Sequence, residues 1–175
     1  MTTQSLETIR EFATRAHRGQ LRKYTDQPYI VHPIEVERLV TLAHGSMAMR
    51  AAALLHDVIE DTEVTSSELL AFLHRVPDVS PQEARLIHRF VIDLTDVYTK
   101  ANFPELNRRQ RKTLEAERLG EIDEAAKLIK FCDMYDNTRT ISQDPGFAKV
   151  YLREKQMILD SMGLQDSGLI ESFES

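Results

Sequence analysis

Along nearly all of this chain, apolar side chains return every three or four residues, and no stretch holds the two-residue alternation of a strand. That periodicity restricts the fold more than any single motif does. Leu6, Ile9, Phe12, Ala13 and Ala16 place a helix at 4–18, which Gly19 stops. Pro33 suits the first turn of a second helix running to His44, and Gly45 separates it from a third at 47–57. Thr65, Ser66 and Ser67 offer caps for a helix through His74. Ser80-Pro81 opens another, whose Ala84, Ile87, Val91 and Leu94 face inward. A basic helix at 107–119, a long one at 122–141 and a last one at 147–162 complete the set. Segments 19–33 and 97–106 read as connectors, and 163–175 as a poorly structured tail. The expectation is an all-α, single-domain globule over residues 1–162, and 175 residues suffice for a sizeable core.

Several classes are disfavoured. No apolar run reaches the roughly 18 residues of a membrane span. Met1 to Glu7 lack a charged-then-apolar leader pattern. One cysteine, Cys132, excludes an internal disulfide framework and fits a reducing, cytoplasmic setting. A net charge of −6 argues against a broad nucleic-acid surface but leaves room for a local basic pocket. An oligomer is compatible with the composition.

The chemistry concentrates where the apolar run Ala53-Leu54-Leu55 meets His56-Asp57-Val58-Ile59-Glu60-Asp61-Thr62. If the helix continues, Glu60 follows His56 by four residues and Asp61 follows Asp57 by four, which groups all four at one end of a face. Three carboxylates so placed repel one another unless a cation sits among them. His32, just before Pro33, and Asp133 can complete a metal site. Asn137 and Thr140 lie four and seven residues past Asp133, on the same helical face. Two imidazoles and two carboxylates suit Mn²⁺, Fe²⁺ or Zn²⁺, and the missing thiolate weakens a structural zinc.

The ordered set His32, His56-Asp57, Asp133 resembles the signature of HD-superfamily metal phosphohydrolases. The flanks are narrower. Ala16 to Thr25, Pro28 to Pro33, Leu54 to Thr62, and Asp133, Asn137 and Thr140 are similar to the hydrolase domain of RelA/SpoT-type alarmone enzymes, over residues 5–160. The chain ends before a synthetase or regulatory domain, so it resembles the stand-alone small alarmone hydrolases. The resemblance implies an HD-domain fold with Mn²⁺ or another divalent ion as cofactor. The implied substrate is a purine nucleotide carrying a 3′-pyrophosphate: (p)ppGpp would yield GDP or GTP plus pyrophosphate, as in the stringent response.

It implies His32, His56, Asp57 and Asp133 as ligands, and Glu60 and Asp61 as catalytic acids. One of the two orients or deprotonates water; the other supplies a proton to the departing ribose 3′-oxygen. It also implies Arg22 and Lys23 beside the purine, and Asn137 and Thr140 near ribose and phosphate. Beyond these, the basic segment suggests that Arg108, Arg111 and Lys112 clamp the pyrophosphate, assisted by Tyr151 and Lys155, under a lid at 97–106. Competing readings are (p)ppApp, another nucleotide such as NADPH, or a non-catalytic nucleotide sensor; intact ligands and acids argue against the sensor. Three positions depart from the family pattern. Asp26 replaces a common glycine, Cys132 a usual alanine, and Asp136 a neutral side chain or histidine. Asp136 either faces solvent or crowds the site.

Overall fold

The computed structural model describes residues 1–23, 25–141 and 145–164, with the side chains of 140, 141 and 145–147 left out. Among the described residues there are nine helical segments and no strand: α1 (Thr3–Ala16), α2 (Val31–Leu42), α3 (Met47–Leu55), α4 (Val58–Asp61), α5 (Ser66–Leu73), α6 (Pro81–Leu94), α7 (Arg108–Gly120), α8 (Glu124–Ile141) and α9 (Pro145–Met162). Local chemistry sets most starts. Thr2, Thr65, Ser80 and Asn107 each cap a helix and form a reciprocal box with the residue three positions on, and Pro81 occupies the first turn of α6. The last described helix ends on Gly163, at φ +69°, with the Leu164 N–H on the Leu159 carbonyl. Of the expected tail, residues 165–175 lie outside the described residues.

The centre of the molecule is α3. Ala48 and Ala51 to Leu55 are all buried, and this helix, charged only at Arg50, which pairs with Glu37, packs against α1, α2, α6 and α8. Its alanines permit close approach of those neighbours. Around it, Ile9, Leu39, Leu69, Leu73, Ile87 and Ile129 fill the main core. A second, smaller cluster (Leu119, Phe131, Met134, Leu159 and Met162) joins α7 and α9 to α8. Gly120 is required there, because a Cβ would stand 2.6 Å from the Ser161 carbonyl oxygen.

One expectation is corrected. The helix does not run on through His56 and Asp57: α3 ends at Leu55, two turn residues follow, and α4 restarts at Val58. The break re-aims the acids that follow, so His56, Asp57, Glu60 and Asp61 do not share one helical face. Asp26, in turn, adopts φ +52° and is exposed. Its glycine-like conformation accounts for the glycine common there, and aspartate is among the residues that tolerate it.

Candidate metal centre

Three elements bring the four ligand candidates together: the first turn of α2 carries His32, the α3–α4 break carries His56 and Asp57, and α8 carries Asp133. All but the half-buried Asp57 are buried. His56 Nε2 lies 2.9 Å from Asp57 Oδ2 and 3.8 Å from Asp133 Oδ1. His32 Nε2 lies 3.1 Å from Asp133 Oδ1 and 3.7 Å from Asp57 Oδ2. Donor atoms sharing an ion at about 2.1 Å stand roughly 3–4 Å apart. Among the described residues His32, His56 and Asp57 offer ligand atoms that all lie within 4.8 Å of one another and could hold one divalent cation, with Asp133 Oδ1 beside both imidazoles.

The imidazoles are oriented for it. His56 Nδ1 donates to the Ala53 carbonyl at 2.8 Å, which leaves its Nε2 lone pair to the cluster. That buried Nε2 makes no hydrogen bond, despite its short approach to Asp57. Burial disfavours a charged His56, yet the Asp57 charge and the contact with Asp133 override it and push its pKa well up. The carboxylates thus call for positive charge at this spot, carried by protons or by an ion. Burial raises Asp133 as well, but Lys130 and His32 outweigh it and hold it well below the carboxylate range.

Each ligand acid has a fixed support. Tyr29 donates its hydroxyl to Asp57 Oδ2 at 2.6 Å and lies 3.1 Å from Asp61 Oδ2. Lys130 Nζ is 3.0 Å from Asp133 Oδ2, and Asn137 donates to Asp133 Oδ1 at 2.6 Å. Asp136 is buried beside His32 Nδ1 at 2.7 Å and pairs with Arg22 at 2.5 Å, so it adds charge to the site and does not face solvent.

The two candidate catalytic acids diverge after the break. Glu60 accepts the Asp96 backbone N–H at 3.0 Å. Its residue keeps an exposed face, but burial of the carboxylate, followed by the Asp96 charge, pushes it up to about 7. Asp61 is raised by burial and then by Asp57, while its carbonyl accepts from Gln20 at 2.6 Å.

Beyond Asp133 opens a cavity of about 120 Å³ whose wall includes Lys112, Lys130, Asn137, Tyr151 and Lys155. Lys112 also contacts Asp96 at 3.1 Å. Arg108 and Arg111 are placed elsewhere. Arg108 makes a two-point contact with Glu154 on an adjoining surface groove that shares Lys112 and Glu154 with the cavity, and the Arg111 guanidinium donates to the Leu106 carbonyl. Lys23 is exposed on the connector after α1. The side chain of Thr140 lies outside the described residues. The 97–106 loop is tethered at its base, where the Val97 and Tyr98 N–H groups donate to Glu115 at 3.0 and 2.9 Å.

Tyr29, Lys130 and Asp96 had no role in the sequence reading. Helical spacing was the available signal for Lys130, which precedes Asp133 by three residues on α8, whereas Tyr29 lies in the turn before α2. Asp96 carries no comparable signal.

Residues 10–155 match the family model described as HD domain. The chain is 35% identical over 136 residues to a guanosine-3′,5′-bis(diphosphate) 3′-pyrophosphohydrolase of Homo sapiens, covering 76% of this chain and 67% of that one. It is 32% identical over 150 residues to the enzyme of the same chemical name from Vibrio cholerae, covering 81% of this chain and 19% of that one. It therefore spans about two thirds of the human relative and about a fifth of the bacterial one. The solved structure of a metazoan ortholog of SpoT superposes with a TM-score of 0.77 at 22% identity, over 99% of this chain and 94% of that one, and shares the helical fold. With the His-Asp break lodged between α2 and α8 and the family model spanning most of the sequence, this chain belongs to the HD-domain family, among its RelA/SpoT-type hydrolase domains.

Proposed function

We propose that this protein is a metal-dependent hydrolase that removes the 3′-pyrophosphate of (p)ppGpp, releasing GDP or GTP and pyrophosphate. The observation that carries the reading is the convergence of His32, His56, Asp57 and Asp133 beside two acids and a cavity whose wall carries three lysines among four acids. The chemical name shared by the human and bacterial relatives supplies the substrate class.

Those four residues would hold the cation, and their nitrogen–oxygen set suits Mn²⁺. When bound there, a divalent ion supplies Lewis acidity, making water more acidic and polarising a phosphoryl oxygen. The rest is done by the chain. Asp61, tied to Tyr29, takes a proton from the attacking water. Glu60, which keeps its proton up to about pH 7, gives one to the ribose 3′-oxygen as its bond to phosphorus breaks. Lys112, Lys130 and Lys155 face the departing pyrophosphate, with Tyr151 beside them. Arg22 forms part of the wall of the base pocket. Arg108 and Arg111 contribute to the field around the mouth more than to a direct clamp.

The buried Cys132, whose thiol burial pushes up to about 12, is packing and not a nucleophile. No described helix is long and apolar enough to cross a membrane, and we assign the protein to the cytoplasm, acting on small nucleotides without nucleic acid. Incubating purified protein and Mn²⁺ with (p)ppGpp, (p)ppApp, NADPH, dNTPs and cyclic dinucleotides tests the reading. GDP or GTP plus pyrophosphate is expected; preference for dNTPs or cyclic dinucleotides refutes it. Tight binding of (p)ppGpp without turnover assigns a sensor instead.

A further inference from the structure

Asp136 follows Asp133 by three residues on α8 and is 7% exposed. Its Oδ2 accepts from two donors, His32 Nδ1 at 2.7 Å and the Arg22 guanidinium at 2.5 Å. His32 therefore meets an α8 carboxylate at each ring nitrogen, Asp133 at Nε2 and Asp136 at Nδ1. Arg22 and Asp136 both line a surface pocket of about 450 Å³, together with Gln27, Val31, Ile34, Glu35 and Arg139. Apolar Val31 and Ile34, a flat guanidinium and an amide suit a planar heterocycle.

We propose that Asp136 is a positioning residue serving both halves of the site: it fixes His32 for the metal ion and holds Arg22 in the wall of the base pocket. The base half rests on the nucleotide reading above; the metal half does not. A carboxylate on Nδ1–H commits the proton to that nitrogen, aims the Nε2 lone pair at the cluster and makes the ring a stronger donor. His56 obtains its orientation from a neutral backbone carbonyl instead. Arg22 makes the buried carboxylate tolerable by neutralising it, as Lys130 does for Asp133. In return the guanidinium is held in one orientation, ready to meet a base without further ordering.

The test titrates metal-free, full-length protein with Mn²⁺ alone, following the free ion by electron paramagnetic resonance, and separately determines KM and kcat at saturating Mn²⁺. Asp136→Asn is expected to weaken Mn²⁺ binding about 10–100-fold. Arg22→Gln is expected to weaken Mn²⁺ binding several-fold less than Asp136→Asn does, because Asp136, although no longer neutralised, still accepts from His32. Both variants are expected to raise nucleotide KM about tenfold with kcat preserved. Thermal melting of the metal-free proteins reports whether each variant is folded. Wild-type Mn²⁺ affinity in folded Asp136→Asn, or equal Mn²⁺ losses in both variants, overturns the proposal. Should Asp136→Asn fail to fold, an unchanged KM in Arg22→Gln, or a large Mn²⁺ loss in it, overturns the proposal on its own. The Mn²⁺ titration involves no nucleotide, so it reads the inference even where wild type proves inactive on (p)ppGpp.

Discussion

The metal centre and the α7–α9 side of the molecule handle charge in opposite ways. At the centre, His32, His56 and Asp133 are buried against the large core built around α3, and each has a named partner that orients it. On the α7–α9 side, a cluster of five buried residues holds the helices together, and a cation such as Arg108 remains 54% exposed and paired with Glu154. The difference tracks the work required. Positioning an ion and a water needs groups fixed within fractions of an ångström, which dense packing provides. Attracting a polyanion needs only charge near the mouth, which exposed side chains supply without such packing.

The contrast is sharpest in the ligands themselves. Asp133→Ala should abolish Mn²⁺ retention and turnover together, measured by metal analysis and pyrophosphate release. Full activity in a metal-free preparation of that variant would break the assignment of the centre. Glu60→Gln should keep the metal and lose about 10²–10⁴-fold in kcat. With Glu60 as the acid at about 7, wild-type kcat should fall tenfold per unit as pH rises beyond that value, since the protonated form is the one that works. A pH profile without that limb assigns the acid role to Asp61.

Smaller effects separate supports from ligands. Tyr29→Phe removes the hydroxyl that Asp57 accepts and should weaken Mn²⁺ binding about 10–100-fold, read by the same titration used for the ligands. Among apolar residues, Leu54→Ala in the α3 core should cost about 2–5 kcal/mol, and Leu159→Ala in the smaller cluster should fall at the low end of that range. Urea unfolding of the metal-free protein measures both, and equal losses would mean the two cores are equally dense. Smallest of all, Arg108→Ala should change stability by no more than about 1 kcal/mol, because its pair with Glu154 is exposed. A large rise in KM for Arg108→Ala would instead make this arginine a direct phosphate ligand.

Much of the framework was legible in one dimension. Helix periodicity, Ser/Thr/Asn caps and Pro81 are local signals, and every described helix except α4 lies within a few residues of where those signals place it. The His-Asp pair after an apolar run, with His32 and Asp133 at a distance, was legible for a similar reason: a buried helix does not end in several uncompensated charges. The break at His56-Asp57 was not legible. No glycine or proline marks it, and the turn is set by what surrounds the two side chains, not by their own backbone preferences. The basic segment could not be sorted from sequence, because Arg108, Arg111 and Lys112 look alike there, whereas neighbouring acceptors pair Arg108 with Glu154, Arg111 with the Leu106 carbonyl and Lys112 with Asp96.

The amino-acid sequence by itself determined most of the helices, a candidate donor set and the family, since these depend on interactions within a turn or two and on short ordered motifs. Only the tertiary structure decided which polar groups meet. Asp136 reaches His32 across 104 positions of chain and Glu60 reaches Asp96 across 36. The physical reason is that a hydrogen bond depends on atoms within about 3 Å and on their orientation. Packing α2 and α8 against α3 sets both, and no local pattern encodes either.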